Sequence, residues 1–469
     1  MFINDLEELE DIINSLVFED ELCIFTEETI LELIEPMFTL MDEFLTENAS
    51  IFSDPDFKEI ILDEMKELYY VQFEDQIINS EYFEDDLNDI LEDILNIFLI
   101  SFQYERHNEN YTLENYTATN DDNNFIESKI QKLREIPQPL QRTPEWYSFR
   151  WNLITASNAW KAFESQPTIN QLIYEKCQPL KTNDDENTDD CIKMVNINTP
   201  LHWGQKYEPL SILLYENMYK TQIEDFGCLP HSSYKFLGAS PDGINVDKNS
   251  DRFGRMLEIK NVVSREINGI PKKEYWIQMQ LQMEVCNLNE CDFLETKFIE
   301  YTDTQSFYND SIIDENNERI LTTSLEGKNK GIILYFHTKE GKPFYCYKPI
   351  FIVNEDDIKE WEENQLDIYE AEPYNYIFMK FIYWKLEVLS CVLVLRNTDW
   401  FKNNIGQLEK VWKTIEQERI TGYEHRAPVK KQKKEALKPF VNINESQGCL
   451  LTFNKIIKLD SIVSTNLIE

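Results

Sequence analysis

Basic residues are scarce in this sequence of 469 residues, which has 45 lysines and arginines, 86 aspartates and glutamates, and a formal charge of −41. Affinity for nucleic acid comes largely from cationic side chains that displace counterions from phosphates, so this balance argues against a nucleic-acid partner. The deficit is uneven, because residues 1–125 hold 35 acidic and 3 basic residues, whereas residues 126–469 hold 51 and 42. The charge therefore speaks against such a partner mainly for the first segment.

Cysteine pairs, clustered histidines and long apolar runs are also missing. The nine cysteines are odd in number and form no Cys-x-x-Cys pair, which predicts a reduced intracellular protein without a zinc site. Cys286 and Cys291 form the only close pair, and we interpret them as buried structural thiols. The apolar run at residues 388–395 is too short to cross a bilayer, and no charged-then-apolar leader is present. We therefore expect neither secretion nor a membrane anchor.

Hydrophobic periodicity divides the chain into segments. Apolar residues recur at helical intervals early in the chain, Pro137 and Pro139 interrupt a polar stretch, and Trp384, Val388 and Val392 form a later stripe that favours a helix. Between them, helical and strand-like patterns alternate, which predicts an α/β fold. We expect five segments: an acidic all-α bundle (1–103), a linker (104–141), an α/β core with a central mixed sheet flanked by helices (142–355), a helical C-terminal extension (356–425), and a basic patch with a tail (426–469).

One stretch combines two carboxylates and a lysine at strand spacing. Asp242 lies in a turn after an apolar segment, and Glu258 and Lys260 lie two residues apart in the largely apolar segment 256–263. Side chains two apart on a strand share one face, and Asp242 can converge on them. Two carboxylates and the backbone carbonyl of Ile259 make an oxygen-rich site suited to Mg²⁺ or Mn²⁺, with Lys260 near enough to orient or activate a water. Phosphodiester hydrolysis needs these groups.

This pattern also has a plainer interpretation. An Asp followed by Glu-x-Lys arises by chance in long acidic chains, and it then marks a surface strand with a solvated salt bridge. The apolar surroundings of Glu258 and Lys260 favour the functional interpretation, because charges on a buried strand need partners or a metal.

Further motifs surround this stretch in a fixed order. They are Arg142-Thr-Pro-Glu-Trp-Tyr-Ser-Phe-Arg150, Ile154-Thr-Ala-Ser157, Trp203-Gly-Gln-Lys-Tyr-Glu208, Gly238-Ala-Ser-Pro-Asp-Gly243, and Tyr275-Trp-Ile-Gln-Met-Gln280. Together with Glu258-Ile-Lys260 they closely resemble the YqaJ-like viral recombinase family, which includes the phage lambda exonuclease. The resemblance covers about a third of the chain, residues 142–285. It implies a PD-(D/E)XK, restriction-endonuclease-like core and a large DNA virus as the source.

The resemblance adds a third carboxylate to the metal site. Glu208 corresponds to a metal-binding residue of the family, and with Asp242 and Glu258 it would hold two Mg²⁺ or Mn²⁺ ions. Without its Gly-x-x-Tyr-Glu context, Glu208 would be interpreted as an exposed helical glutamate of an acidic chain.

The resemblance also suggests residues that contact DNA. Arg150 and Ser157 correspond to a phosphate-contacting pair, although a surface salt bridge is the plainer role for Arg150. Gln278 and Gln280 correspond to helix glutamines that face the active site and hold the DNA strand or Lys260. Amide hydrogen bonds inside a buried helix are their plainer role, and we favour Gln278 as the catalytic one of the two.

These features predict a metal-dependent exonuclease that hydrolyses linear duplex DNA, in the 5′ to 3′ direction, for viral recombination, repair or replication. A structure-specific endonuclease with the same residues is the first alternative, and a catalytically silent DNA-binding protein is the second. The cationic patch Lys430, Lys431, Lys433 and Lys434 is expected to contact phosphates.

We expect DNA ends as the substrate and no membrane partner. The resemblance implies a single-strand annealing protein as a partner, a ring-shaped homotrimer, and a location in the host cytoplasm, viral factory or virion. For the acidic bundle, a partner-docking or DNA-mimicking role and a simple solubilising role remain open.

Overall fold

The structure is a computed structural model that describes residues 27–73, 83–101, 123–140, 143–180, 196–315 and 319–428. Its α-helices are α1 (Glu27–Glu47), α2 (Phe57–Gln72), α3 (Phe83–Ser101), α4 (Asn123–Arg134), α5 (Pro144–Trp151), α6 (Ala156–Ala159), α7 (Gln166–Cys177), α8 (Pro200–Tyr219), α9 (Lys273–Cys286), α10 (Thr304–Asn309), α11 (Glu355–Glu370) and α12 (Thr398–Thr421). Its strands are β1 (Ile154–Thr155), β2 (Ile223–Glu224), β3 (Leu229–Pro230), β4 (Leu237–Ala239), β5 (Gly243–Asn245), β6 (Met256–Asn261), β7 (Glu290–Glu300), β8 (Ile312–Ile313), β9 (Arg319–Ile320), β10 (Lys330–His337), β11 (Pro343–Tyr347) and β12 (Ile377–Leu395). Short 3₁₀ helices occupy Ala49–Ser53, Trp160–Phe163 and Glu424–Arg426.

Helices α1, α2 and α3 enclose an apolar core of their own. Met37, Met41 and Ile61 are fully buried in it, with Leu87 and Phe98 from α3. The helical spacing of apolar residues in this acidic segment explains the packing, since each helix has one apolar stripe to bury. The exposed ion pair between Lys273 and Asp56, at 2.9 Å, is one contact between this bundle and the α/β part.

The expected linker contains a helix that belongs to the α/β core. Ile130 and Leu133 of α4 are buried in the same apolar cluster as Met256 and Phe293. The polar composition around residues 104–141 obscured this short amphipathic helix. Pro137 and its neighbours follow the end of α4, where a proline does not interrupt the helical hydrogen bonds.

The α/β part is built on a seven-stranded sheet with the order β11-β10-β12-β7-β6-β5-β2. Strands β6 and β7 are parallel, and the other pairs in this sheet are antiparallel. A small sheet with the order β1-β4-β3 lies in the same part of the chain. The predicted α/β class with a central mixed sheet flanked by helices is confirmed.

The expectation of a helical region throughout residues 356–425 is wrong for β12. Helices α11 and α12 are present, but β12 lies between them and pairs with both β10 and β7. The apolar stripe of Trp384, Val388 and Val392 misled the prediction, because residues four apart share a face on a strand as well as on a helix. A register shift between Leu386 and Val388 further disturbs the alternation.

Strand β6 lies at the centre of the structure, with helices on both of its faces. Leu257 and Ile259 pack with Tyr215 of α8 on one face. On the other face, Met256 belongs to the same apolar cluster as Ile277 of α9. The alternation of side chains along β6 therefore directs Glu258 and Lys260 towards α9. Within the described residues, no helix is both long enough and apolar enough to cross a membrane.

Candidate active site

Glu258 is the buried centre of the candidate site. Its carboxylate has no solvent exposure, and the Lys260 ammonium contacts Glu258 Oε1 directly. Helix α9 supplies two more donors, since Gln278 Nε2 donates to Oε1 and Gln282 Nε2 donates to Oε2, each at 2.7 Å. These donors compensate the desolvation that makes a buried carboxylate costly. They also fix the orientation of its two oxygens.

Asp242 is held against the same strand by backbone contacts. Its Oδ2 accepts a hydrogen bond of 2.7 Å from the Ile259 backbone N–H, and its own N–H donates to the Leu257 carbonyl at 3.2 Å. The N–H and C=O of one strand residue point to the same side, so the Ile259 carbonyl projects on the side where Asp242 lies. Gly243 follows Asp242, and a Cβ there would lie 2.1 Å from an Ile223 methyl group. The glycine therefore lets β2 approach next to the carboxylate.

Negative charge accumulates at this site. Burial raises the pKa of Asp242 well above its usual range, the Glu258 and Glu208 carboxylates raise it further, and the Lys260 ammonium opposes them. For Lys260, burial alone would lower the pKa, but Glu258 and Asp242 outweigh burial and raise it. The lysine is therefore a firmly held cation, and a second cation near Asp242 would relieve the remaining repulsion.

Glu208 lies on α8, is half-buried, and acts on Asp242 and Tyr347 through its charge. In the residues that the structure describes, however, no three His, Cys, Asp or Glu side chains are arranged to hold a metal ion. The three carboxylates predicted as ligands are thus near one another without forming a closed coordination shell. Glu258 instead points to Lys260 and the α9 glutamines. Their oxygen donors and mutual repulsion still suit a hard divalent cation.

A polar chain connects Arg150 to the carboxylate site. Arg150 Nη1 donates to Ser240 Oγ at 3.2 Å, and the Ser240 backbone carbonyl accepts from Gln282 Nε2 at 3.2 Å. The Arg150 guanidinium also lies 4.7 Å from the centre of the Trp146 ring. Ser157 is exposed on α6, with its hydroxyl 3.3 Å from Thr155 Oγ1. Arg150 is therefore connected to the carboxylate site by hydrogen bonds, and Ser157 lies on the exposed surface of α6.

Residues 145–289 match the model of the YqaJ-like viral recombinase domain. This segment of the chain is similar to that domain. The matched segment includes Arg150, Glu208 and Asp242 together with β6 and α9. The hydrogen bonds described above for the carboxylate site therefore fall inside the matched segment.

Other comparisons give more distant similarities. An uncharacterised protein of Acanthamoeba polyphaga mimivirus is 29% identical over an alignment of 346 residues, and the alignment covers 67% of this chain and 58% of that protein. The chain therefore spans less than two thirds of the length of that relative. Two crystal structures of an alkaline exonuclease from Laribacter hongkongensis, the second in complex with dAMP, are 16% identical, with TM-scores of 0.30 and 0.28. Each covers 60% of this chain and 95% of its own.

The predicted role of Gln280 is not supported by its position on α9. Gln280 is buried, its Nε2 donates to the Leu395 carbonyl at 2.9 Å, and its Oε1 accepts from the Asn397 N–H at 2.6 Å. Two residues along a helix rotate a side chain by about 200°, so Gln278 and Gln280 cannot share one face. Gln280 therefore ties α9 to the end of β12.

Two contributors to this site were missed in the sequence, Gln282 and Ser240. Gln282 lies four residues after Gln278 and so on the same helical face, a spacing that could have identified it. Ser240 belongs to the Ser-Pro-Asp-Gly turn, where only its nearness to Asp242 was a signal. The predicted phosphate contacts at Lys430, Lys431, Lys433 and Lys434 lie outside the described residues.

The two buried glutamines should differ in how their substitution affects cleavage by the folded protein. In the nuclease that the resemblance implies, we expect Gln282→Leu to lower DNA cleavage roughly tenfold to a hundredfold, because Glu258 is deprived of a charge-assisted hydrogen bond. We expect Gln280→Leu to destabilise the fold by about 2–3 kcal/mol through the removal of its two hydrogen bonds, with little effect on the rate of folded protein. Thermal unfolding and single-turnover cleavage of both variants would separate the roles, and a reversed pattern would contradict this assignment.

Proposed function

We propose that this protein is a metal-dependent DNA nuclease of the PD-(D/E)XK class that degrades linear duplex DNA from an end. The observation that carries the proposal is the fully buried Glu258 carboxylate, which is held by Lys260 and two glutamines next to Asp242. A buried salt bridge adds little stability by itself, so a purely structural role explains this cluster poorly. The match to the YqaJ-like viral recombinase domain supports the assignment.

Asp242, Glu258 and the Ile259 carbonyl are the proposed ligands of Mg²⁺ or Mn²⁺, with Glu208 as the third carboxylate and two ions in the complete site. A divalent cation, when bound, would polarise the phosphate and lower the pKa of a water molecule. Lys260 would orient that water and offset the charge of the carboxylates. Gln278 and Gln282 would keep Glu258 in its ligating orientation.

We assign Arg150 and Ser157 to the recognition of a terminal 5′-phosphate, which gives cleavage in the 5′ to 3′ direction. The guanidinium offers several donors to phosphate oxygens, and the serine hydroxyl adds another. The Arg150–Ser240–Gln282 chain supports the assignment, since it places the arginine within one polar network of the carboxylate site.

The direct test is a digestion assay on three DNA substrates: 5′-phosphorylated linear duplex, 5′-hydroxyl linear duplex and covalently closed circles. An exonuclease should degrade the first fastest and leave the circles intact. Rapid cutting of the circles would support the structure-specific endonuclease instead. Binding of all three without any cleavage, in the presence of Mg²⁺ or Mn²⁺, would support the catalytically silent protein.

Lys438 follows the cationic patch Lys430, Lys431, Lys433 and Lys434, and all five lysines lie outside the described residues. We propose that these five lysines bind additional phosphates. Deleting residues 430–438 should weaken duplex binding and reduce the slope of log affinity against log salt by about 0.9 for each phosphate that the patch neutralises. Titrations of the full chain and the deletion variant at several salt concentrations would measure this. An unchanged slope would exclude the patch from DNA binding.

We further propose that the nuclease serves recombination, repair or replication of a viral genome. A ring-shaped homotrimer and a single-strand annealing partner would both suit an enzyme that leaves single strands behind. Sedimentation of the full chain with and without duplex ends would test the trimer, and a monomer in both conditions would contradict it.

A further inference from the structure

An aromatic pocket lies at the start of α8, apart from the carboxylate site. Its volume is about 280 Å³, and Trp203, Lys206, Tyr335, Tyr345 and Lys380 are among the residues that line it. Several strands of the sheet and one helix contribute to its walls, so the pocket is fixed by the fold of the sheet. Its aromatic rings come from α8, β10 and β11.

The aromatic wall is held in a defined arrangement. The rings of Tyr335 and Tyr345 stack with their centres 5.1 Å apart, and the Tyr345 hydroxyl lies 2.6 Å from His202 Nε2. The Tyr335 hydroxyl hydrogen-bonds to the His337 ring at 2.5 Å. Preformed aromatic surfaces of this kind bind planar rings without an ordering cost.

The charge of the pocket is unusual for this acidic chain. Lys206 contacts the Glu300 carboxylate, and Tyr207 donates to the same Glu300 oxygen at 2.9 Å, so this negative charge is compensated. Lys380 is exposed and forms no ion pair with any described residue. Two lysines and one glutamate leave a formal charge of +1, whereas the whole chain has −41.

The pocket adjoins the end of the catalytic strand. Val263, three residues after Lys260, lines it, and so does Glu300 on β7. Glu300 lies five residues beyond Glu295, the β7 partner of Lys260, which corresponds to about 17 Å along the strand and, because side chains alternate, places Glu300 on the opposite face of the sheet from Lys260. Lys206 precedes Glu208 by two residues on α8. The pocket therefore lies on the α8 face of the sheet, whereas Lys260 faces α9, and a DNA strand that passes the end of β6 from the carboxylate site would reach it.

We propose that this pocket binds an unpaired nucleotide of the single strand that DNA degradation produces, with the base against Tyr345 and a phosphate at Lys380. The inference rests on the proposed nuclease function and adds a single-strand site to it. Aromatic rings with a neighbouring cation are the usual platform for unstacked bases, and they tolerate any base sequence. Duplex DNA offers no free base face, so it should gain little from the pocket.

The test measures the affinity of the full chain for a labelled single-stranded oligonucleotide and for a blunt duplex, by fluorescence anisotropy in metal-free buffer. Tyr345→Leu should weaken single-strand binding about tenfold and change duplex binding less than about twofold. Lys380→Gln should lower the single-strand salt slope by about 0.7, the value expected for one phosphate. The matched controls are Tyr376→Leu and Lys342→Gln, which lie outside the pocket.

Equal single-strand affinities in the pocket variants and their controls would overturn the inference. Lys380 is exposed, so its substitution keeps the test valid even if Tyr345→Leu fails to fold. Because binding is measured without metal, this outcome is separate from the nuclease assay. If the wild type digests duplex ends, but the Tyr345→Leu and Lys380→Gln variants bind single strands as tightly as the wild type does, the single-strand site alone is refuted.

Discussion

Replacing Lys260 with alanine should lower the rate of DNA cleavage about a thousandfold while leaving duplex binding within a few-fold of wild type. The lysine contacts Glu258 and acts on Asp242, so its loss removes the cation that balances two carboxylates and that we propose to orient the reacting water. Binding should persist because we assign the phosphate contacts to other cations, Arg150 among them. Single-turnover cleavage and duplex anisotropy would be measured on the same preparation.

Lys297→Ala is the matched control for this prediction. Lys297 lies on β7, on the same face of the sheet as Glu295, the strand partner of Lys260, and it forms no ion pair with a described residue. Its loss should change the cleavage rate less than about threefold. Near wild-type cleavage by Lys260→Ala would refute the catalytic role of the lysine. A Lys260→Gln variant guards against misfolding, since removing one partner of a buried ion pair can cost about 3–5 kcal/mol.

A 5′-phosphorylated duplex should be degraded up to about a hundredfold faster than the same duplex with a 5′-hydroxyl end. Without the phosphate contact the scissile bond is poorly positioned, and a displacement of about an ångström can slow the reaction by about that factor. Arg150→Ala should remove most of this difference in rate, since we propose that its guanidinium donates hydrogen bonds to the 5′-phosphate. The guanidinium also connects to Gln282 through Ser240. The rates on the four combinations of enzyme and DNA end form a double-mutant cycle.

Arg134→Ala provides the control for charge in that experiment. Arg134 forms an exposed salt bridge with Glu224 at 2.6 Å, so its loss changes the net charge equally without touching the Arg150 network. The control should retain the full preference for a 5′-phosphate. Equal rates on both ends with the wild-type enzyme would contradict end recognition, although Asp242, Glu258 and Lys260 would remain the proposed catalytic groups.

The carboxylate site could be predicted largely because strand geometry is simple. The period of two places Glu258 and Lys260 on one face, and an adjoining turn brings Asp242 to the same strand. Helix geometry would have served equally well for the glutamines. Gln278 and Gln282 share a face, whereas Gln280 points the opposite way, so the motif pair suggested by the resemblance included one structural residue.

The ends of the α/β part were harder to predict. Spacing of four residues suits a helix and a strand alike, so Trp384, Val388 and Val392 did not reveal that β12 is a strand that pairs with both β10 and β7. Whether this segment forms a helix or a strand depends on its pairing with strands that are distant in the sequence, and a single sequence does not show that pairing. Helix α4 was hidden for a different reason, since its two buried residues, Ile130 and Leu133, stand within a polar stretch.

The arrangement of metal ligands depends on side-chain orientation, which sequence spacing does not determine. Residue types identified Glu208, Asp242 and Glu258 as oxygen donors, but hydrogen bonds from α9 decide where the Glu258 oxygens point. The aromatic pocket at α8 is a similar case. Its residues come from positions 197 to 382 of the chain, and only the folded sheet brings them together.

The most direct test of the account is a divalent-metal titration of the wild type and Asp242→Asn, with Asp251→Asn, an exposed aspartate, as the control. Binding of Mn²⁺ would be followed by electron paramagnetic resonance, and cleavage of a 5′-phosphorylated duplex would be measured in the same samples. We predict that Asp242→Asn weakens Mn²⁺ binding at least about tenfold and abolishes cleavage, that Asp251→Asn does neither, and that excess chelator stops the wild type. Full cleavage in excess chelator, or unchanged metal binding and cleavage in Asp242→Asn, would contradict the account.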